Sequence, residues 1–499
     1  MLNNINWATP EIFLSIVAVS LLWYGVIACK FGGKVGQTLK INNLSVLALF
    51  ITGLLLIGEL SALVSSGVSS VSISLDLLSC TEYILLIKIV LVFSSALIIL
   101  LGNESTYKDK MYDFEYSQLI LLSTLGMMFV IGSSDLLMLY LGIELLSLSL
   151  YVLAAIKRNR EHSTEAGLKY FLLGALSSGL LLFGMALIYA FTGETGFVGL
   201  SNYIWFADNE PELVMGAIFI VISLIFKLGG VPFHMWVPDV YEGAPNIVTA
   251  YFAIVPKIAT LGILIILLNG PFLGIFIDIQ PIILFCGILS IIVGGIGALN
   301  QGKLKRLLAY SAISHVGFLL IGVGTNTLLS LHATLIYILL YIVMSFGTFA
   351  FVLNVFKHGN FITQLSGLSR SNPILALTFA FILLSIAGVP PLAGFYSKYL
   401  ILLSALDNGL FLISFFAVMG SAVSAFYYLR IIKWMFFKDS SYYHYKDLGD
   451  VLYPVQNNLH VNFIGSIIMG GSLFIILTFL FYPTPLLNLS MTALSSSLI

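Results

Sequence analysis

Charge is scarce in this sequence. Only 9% of its 499 residues are Asp, Glu, Lys or Arg, whereas soluble domains carry about 25%. The formal net charge is -1, and no basic tail or basic stretch with interleaved aromatics is present, so nothing argues for nucleic-acid binding. Cysteine is nearly absent. Cys29, Cys80 and Cys286 are scattered through apolar runs, without the spacing of a disulfide framework, an iron–sulfur site or a zinc site. No dinucleotide fingerprint occurs either: Gly294, Gly295 and Gly297 sit inside an apolar run, where close helix packing explains them better than a phosphate does. The opening residues, MLNNINWATPEIF, lack the basic start of a secretory signal and the arginine and serine bias of a transit peptide. The first apolar run is therefore expected to remain as a span.

What fills the chain is apolar: 59% of residues are hydrophobic. Runs of about 18 or more such residues recur, each long enough at about 1.5 Å per residue to cross roughly 30 Å of hydrocarbon. The fold class is an all-α polytopic membrane protein with about fourteen transmembrane helices. The spans begin near Ile12, Asn43, Cys80, Tyr116, Asp135, Gly167, Leu213, Asn246, Ile279, Leu304, Thr327, Pro373, Leu410 and Val461. Spanning strands are excluded, because the runs are too long and lack the alternation of a barrel. The cations test this count. Eighteen of the 22 Lys and Arg residues fall in the loops after the odd-numbered spans, whereas the opposite loops, including the long 192–212 segment, carry none. Both termini are thus expected on the positive side, with the basic loops in a bacterial cytoplasm or a mitochondrial matrix.

Four lysines remain inside spans: Lys88, Lys227, Lys257 and Lys398. A cation at the bilayer centre costs roughly 2.5 to 3.5 kcal/mol on insertion scales. Lys227 lies in FKLGGVPFHMWVPDVYEGAP, where Gly229, Gly230 and Pro232 break the helix that carries it; Pro232 removes a backbone donor and clashes with the preceding turn. A titratable group beside backbone free to bend is what an ion pathway needs. By residue count Lys227 and Lys257 lie near mid-depth, as do Glu144 and His315, while Lys398 lies toward the positive side. Lys88 sits in the outer part of its span and reads as a snorkelling residue.

The chain also repeats itself. FKLGGVP, with its break at Gly230 and Pro232, is echoed by LSIAGVPP, with Gly388, Pro390 and Pro391; Leu168 to Gly184 is echoed by Leu304 to Gly322. The offset is about five spans, an odd number, so two five-helix repeats, each with a broken helix, are expected to be inverted around a midplane site. The expected organisation is three N-terminal helices (1–110), a first repeat of helices 4–8 (111–270), a second of helices 9–13 (271–437), and a loop with helix 14 (438–499).

Each ionisable residue has a plainer reading. Glu144 alone could be a carboxylate satisfied by neighbouring serines, and His315, among Ser311, Ser314 and Gly317, is as readily a packing residue as a proton carrier. His234 reads as structural. Asp239 and Glu242 read as caps of the loop after the break rather than proton gatherers. An acidic residue and two lysines at similar depth, one beside a helix break, are harder to explain as separate accidents. Burial disfavours the charged form of each and an opposite charge favours it. A lysine held between these effects can take or release a proton when a nearby charge moves.

In LGIELLSLSLYVLAA, STEAGLKYFLLGALSSGLLLFG, FKLGGVPFHMWVPDVYEGAP, PKIATLGIL, KLKRLLAYSAISHVGF and GVPPLAGFYSKYLIL the sequence resembles the antiporter-like membrane subunits of respiratory complex I, the NADH dehydrogenase, and within them the subunit 2 branch. The resemblance covers roughly Tyr116 to Phe437. It implies that Glu144 and Lys227 form the input-side pair, that Lys257 is the central proton carrier, and that Lys398 passes protons toward the exit, with His315 a further relay candidate. It also implies a proton-translocating subunit of NADH:ubiquinone oxidoreductase in the mitochondrial inner membrane, the bacterial plasma membrane being the alternative. NADH, FMN, iron–sulfur clusters and ubiquinone would be bound by other subunits, leaving no cofactor or metal here. Expected partners are a neighbouring antiporter-like subunit, small membrane subunits and the lipid bilayer. The three spans before the repeat fit the longer versions of this branch, and the early stop after span fourteen is not expected of the largest antiporter-like subunit, with its lateral helix. Two other readings stand: a multisubunit sodium/proton antiporter or membrane-bound hydrogenase subunit, and a scaffold whose buried charges hold neighbours.

Overall fold

A computed structural model describes residues 6–31, 34–66, 70–73, 77–108, 114–206, 211–356, 360–438 and 462–495. The loop expected between Lys438 and His460 lies outside them from 439 on, as do Lys110, Lys357, Lys446 and the side chains of Cys29, Lys30, Lys34 and Lys108. In chain order the helices are α1 (Thr9–Phe31), α2 (Lys34–Ser66), α3 (Glu82–Lys108), α4 (Glu115–Gly132), α5 (Leu136–Ala154), α6 (Glu161–Thr192), α7 (Phe197–Phe206), α8 (Pro211–Leu228), α9 (Trp236–Gly243) and α10 (Asn246–Asn269). They continue as α11 (Phe276–Leu299), α12 (Leu304–Thr325), α13 (Leu328–Val355), α14 (Leu368–Ser371), α15 (Pro373–Ala387), α16 (Ala393–Asp407), α17 (Phe411–Phe437), α18 (Phe463–Thr478) and α19 (Thr484–Ser495).

Among the described residues twelve segments are long and apolar enough to cross a membrane, and two shorter apolar helices, Pro373–Ala387 and Phe463–Thr478, bring the number to the expected fourteen. Among the described residues strands occur only outside the spans: β1 (Ser70–Ile73) and β2 (Leu78–Thr81) form an antiparallel hairpin between α2 and α3, with Val71 opposite Cys80. The third span therefore starts at Glu82, after the hairpin that contains Cys80.

Chain contacts divide the protein into two units. The first comprises residues 1–236, 243–283 and 488–499. Its centre is α10, which packs on α3, α4 and α8 and is 94% buried along its span. Such a helix is apolar all round, as a core helix in a membrane bundle must be. On the side of the hairpin the connections are laced by backbone pairing: Ser134 N donates to Leu77 O at 3.1 Å, Phe197 N to Ser134 O at 2.8 Å and Leu136 N to Thr195 O at 3.0 Å. Asp135 caps α5 by accepting from Leu137 N at 2.7 Å and from Thr195 Oγ1 at 2.7 Å.

The second unit comprises residues 237–242 and 284–487. Its most buried helices are α12 and α13, at 94% and 89% of their spans, and α13 packs on α12, α15, α16 and α18. By contrast α1 and α17 are each only 28% buried. Their apolar faces suit lipid or a neighbouring membrane chain.

The two expected helix breaks are present. Gly229 (φ 83°) ends α8 and Gly388 (φ 88°) ends α15, a left-handed conformation that residues with a Cβ avoid. At the second break Gly388 N and Val389 N both donate to Leu384 O at 3.1 Å, closing the last turn as a Schellman-type cap. The bonds Val231–Pro232 and Pro390–Pro391 are both cis.

Candidate functional site

Lys227 occupies the last turn of α8, directly before the first break. The carbonyls of that turn are taken up locally: Gly229 N and Trp236 Nε1 each donate to Phe226 O at 3.0 Å, and Gly230 N donates to Ile225 O at 2.9 Å. Trp236 stacks on Tyr170 with ring centres 4.7 Å apart, so the turn between α8 and α9 is held by an aromatic wedge. Lys227 is partly exposed, and the charge that acts on it is that of Glu144 on α5. Glu144 Oε1 is buried without a hydrogen-bond partner. The neighbouring serines do not satisfy the carboxylate: Ser147 Oγ donates to the main-chain carbonyl of Glu144 at 3.2 Å and Ser149 Oγ to that of Leu145 at 2.8 Å. The plainer reading of Glu144 thus loses its support.

Lys257 lies midway along the 24-residue α10 and is 4% exposed. Pro256 precedes it inside the helix; with no amide hydrogen, it cannot close the turn onto the residue four positions back. Thr260 Oγ1 donates to Pro256 O at 2.9 Å on the following turn. The lysine is thereby placed where the helix ladder is already interrupted.

In the second unit His315 is 4% exposed, and its Nδ1 lies 2.6 Å from the Tyr337 hydroxyl. The Tyr341 ring is 5.3 Å away. Ser314 and Ser311, one and four residues before His315, adjoin the Tyr427 and Tyr428 hydroxyls, and those two rings are 4.4 Å apart. This buried tyrosine cluster was missed in the sequence, where single tyrosines on apolar helices look like packing residues. Lys398 on α16 is 6% exposed and donates to Ala387 O, the end of α15, at 2.8 Å. Its ammonium also lies 5.4 Å from the centre of the Phe318 ring, which stacks on Tyr337. Lys398 and His315 are therefore linked through the stacked Phe318 and Tyr337 rings. Lys227 sits at the C-terminal end of α8, and the Lys398 ammonium, carried on α16, reaches the C-terminal end of α15; each cation thus meets the negative end of a helix dipole.

Two expectations need correction. Lys88 does not snorkel: it is 1% exposed, and its ammonium lies 2.6 Å from Glu11 Oε1, 77 residues away in sequence. Asp239 and Glu242 lie within α9 rather than in a loop. Glu242 pairs there with Lys303 at 2.5 Å and with Arg306 at 3.2 Å, while Asp239 lies 3.7 Å from Arg306, so these carboxylates neutralise cations at the start of α12. His234, within the first break, packs against the Pro232 backbone.

Comparison with known proteins extends the match over the whole chain. The family model described as "NADH:quinone oxidoreductase/Mrp antiporter, TM" matches residues 133–424. NADH-quinone oxidoreductase subunit N of Paramagnetospirillum magneticum is 38% identical over 488 residues, covering 96% of this chain and 95% of that protein. NADH-ubiquinone oxidoreductase chain 2 of Marchantia polymorpha is 40% identical over 489 residues, covering 96% and 95%. Among solved structures, a chain of respiratory complex I from Thermus thermophilus superposes with a TM-score of 0.77 at 26% identity, covering 97% of this chain and 99% of that one.

Proposed function

The chain belongs to the NADH:quinone oxidoreductase/Mrp antiporter membrane family, and from that premise we infer that it is a proton-translocating membrane subunit of NADH:ubiquinone oxidoreductase. It spans the membrane many times and works within a multisubunit complex. The observation that carries the proton reading is Lys257: an ammonium-bearing side chain 4% exposed at the middle of the most buried helix of its unit, beside a proline. A lysine there is costly in a membrane span, and such residues mark ion and proton pathways.

We assign Glu144 and Lys227 as the input pair, Lys257 as the central carrier and Lys398 as the outlet, with His315 and its tyrosines as a further relay. The electrostatic coupling of Glu144 to Lys227 supports the first assignment, and the position of Lys398 across a helix break supports the third. Energy from a remote redox reaction would arrive as a charge shift that alters how strongly Glu144 holds the Lys227 proton. Moving one charge through 100 mV takes about 2.3 kcal/mol, and a change of that size in one pairwise interaction is within reach of two charges in a membrane interior. Redox cofactors and quinone would be held by other subunits. The neighbours would be another antiporter-like subunit and small membrane subunits, for which the exposed faces of α1 and α17 are suited. We place the chain in the mitochondrial inner membrane with the basic loops in the matrix, in line with the Marchantia relative; the bacterial relatives fit the plasma membrane of a bacterium.

A Lys257→Ala variant separates this reading from a scaffold role. It should leave the complex assembled and NADH oxidation measurable while lowering protons pumped per electron. Normal pumping in an assembled variant would reject the relay. Antiport of sodium against protons in the absence of flavin and iron–sulfur subunits would favour the Mrp-type reading instead.

A further inference from the structure

The three N-terminal helices carry a second buried ionic cluster that none of the assignments above uses. Lys88 on α3 is joined to Glu11 Oε1 on α1 at 2.6 Å, with the two side chains 2% and 5% exposed. Glu59 on α2 is 9% exposed, and its Oε1 accepts from Thr9 Oγ1 at 3.2 Å. The second oxygens of both carboxylates, Glu11 Oε2 and Glu59 Oε2, are buried with no hydrogen-bond partner. Glu59 lies in the field of both Glu11 and Lys88. Cys80 on β2, fully buried with its thiol 3.9 Å from Trp7 O, feels the same charges. From α4 the close neighbour is Gly132: a Cβ there would stand 2.8 Å from the Lys88 ammonium, so the absence of a side chain makes room for the lysine. The titratable groups facing the cluster are thus Glu11, Glu59, Lys88 and Cys80.

We propose that Glu11, Glu59 and Lys88 form a proton-binding site that holds one exchangeable proton, carried on Glu59. The argument is one of charge and of unmade hydrogen bonds. With both carboxylates ionised the cluster bears one uncompensated negative charge away from water, which costs several kcal/mol. One added proton neutralises it and supplies an O–H where two acceptors have no donor. Glu11 already has the ammonium within contact distance. Glu59 has only a neutral hydroxyl, so the proton resides there. The site lies at the hairpin end of α1 to α3, outside the assigned relay, and stands or falls separately from it.

The test uses membranes containing the intact complex and dicyclohexylcarbodiimide, a hydrophobic probe whose C=N bond takes up a protonated carboxyl group. Adducts are located by mass spectrometry of the peptides. Glu59 should be labelled, with labelling falling as pH rises and unchanged when sodium replaces choline. Glu11→Gln leaves one carboxylate facing one ammonium, a neutral pair that needs no proton, so Glu59 labelling should drop roughly tenfold or more, as loss of a resident proton requires. Lys88→Met should do the reverse and extend labelling to Glu11. The proposal is overturned if Glu59 resists labelling at every pH, if Glu11→Gln leaves its labelling unchanged, or if sodium protects it, which would make the cluster a cation site. The pH series and the sodium arm need no variant, so poor assembly of a mutant would not leave the question open.

Discussion

Glu144 and Lys227 are coupled through space without being locked together: the carboxylate acts on the lysine, yet its Oε1 has no hydrogen-bond partner. A closed ion pair would hold its proton too firmly to pass it on. An isolated buried lysine would not respond to a distant signal. Unit charges a few ångströms apart at an effective dielectric of about 20 interact by about 3 kcal/mol. That is about two orders of magnitude in a protonation equilibrium, enough to switch occupancy and too little to freeze it.

Lys227→Ala in an intact complex should therefore depress proton pumping coupled to NADH oxidation, and Glu144→Gln should do so in the same direction. Glu144→Asp, which keeps the charge on a shorter arm, should retain part of the coupling. Protons per electron, measured in sealed vesicles, is the readout. A normal ratio in Lys227→Ala would count decisively against the input pair.

Lys398 makes a different kind of contact, a hydrogen bond to Ala387 O across the second break. Two substitutions separate its proposed part as the outlet from its part in holding the break. Lys398→Met fills the same space but leaves the buried carbonyl without its donor, a loss of about 1 to 3 kcal/mol. It should lower both the thermal midpoint of the purified complex and pumping. Lys398→Arg keeps a permanent charge and donor but cannot release its proton at working pH, so it should largely spare the midpoint while still impairing pumping. Equal pumping in the arginine variant and the parent would show that Lys398 is structural only.

The breaks and the buried lysines were legible because their signals are local. Gly229, Gly230 and Pro232 punctuate the backbone whatever surrounds them, and Lys257 stands out against an apolar run. The membrane class followed from composition alone. The missing parts depend on distant partners. Nothing near Lys88 in sequence marks Glu11, 77 residues before it, so residue count favoured snorkelling. Tyr337, Tyr427 and Tyr428 became visible as a group only once α13 and α17 lay beside His315. In the sequence Arg306 and Lys303 mark only sidedness, and their pairing with Glu242 cannot be inferred from loop charge.

Packing at the second break gives a prediction independent of protons. A Cβ on Gly394 would run into the main-chain carbonyl of Ser385, where α15 and α16 meet, and Gly394 N donates to Ser385 Oγ at 3.1 Å. Gly394→Ala should thus force the half-helices apart, costing roughly 1 to 3 kcal/mol as overpacked sites do, and reduce the amount of assembled complex. Gly179→Ala, in a helix where nothing lies within 4 Å of the added methyl, is the control and should assemble as the parent does. If both variants assemble equally, the close approach at Gly394 is not a constraint.

The contact between His315 and Tyr337 distinguishes a relay from a packing histidine. At 2.6 Å from Nδ1, the phenol fixes which ring nitrogen faces the tyrosine cluster and which faces away. Tyr337→Phe keeps the ring that stacks on Phe318 and removes only the hydroxyl, so packing and assembly should change little, within about 1 to 1.5 kcal/mol for one lost hydrogen bond. If His315 carries protons, the freed imidazole should slow pumping and displace its pH profile relative to the parent. His315→Gln, which keeps a polar side chain of similar size but cannot exchange a proton near neutral pH, should abolish the displaced profile and lower pumping further. If His315 is a packing residue, His315→Gln should instead lower the thermal midpoint, and both variants should leave pumped protons per electron and its pH dependence as they were. Measuring the two quantities on the same preparations decides between them.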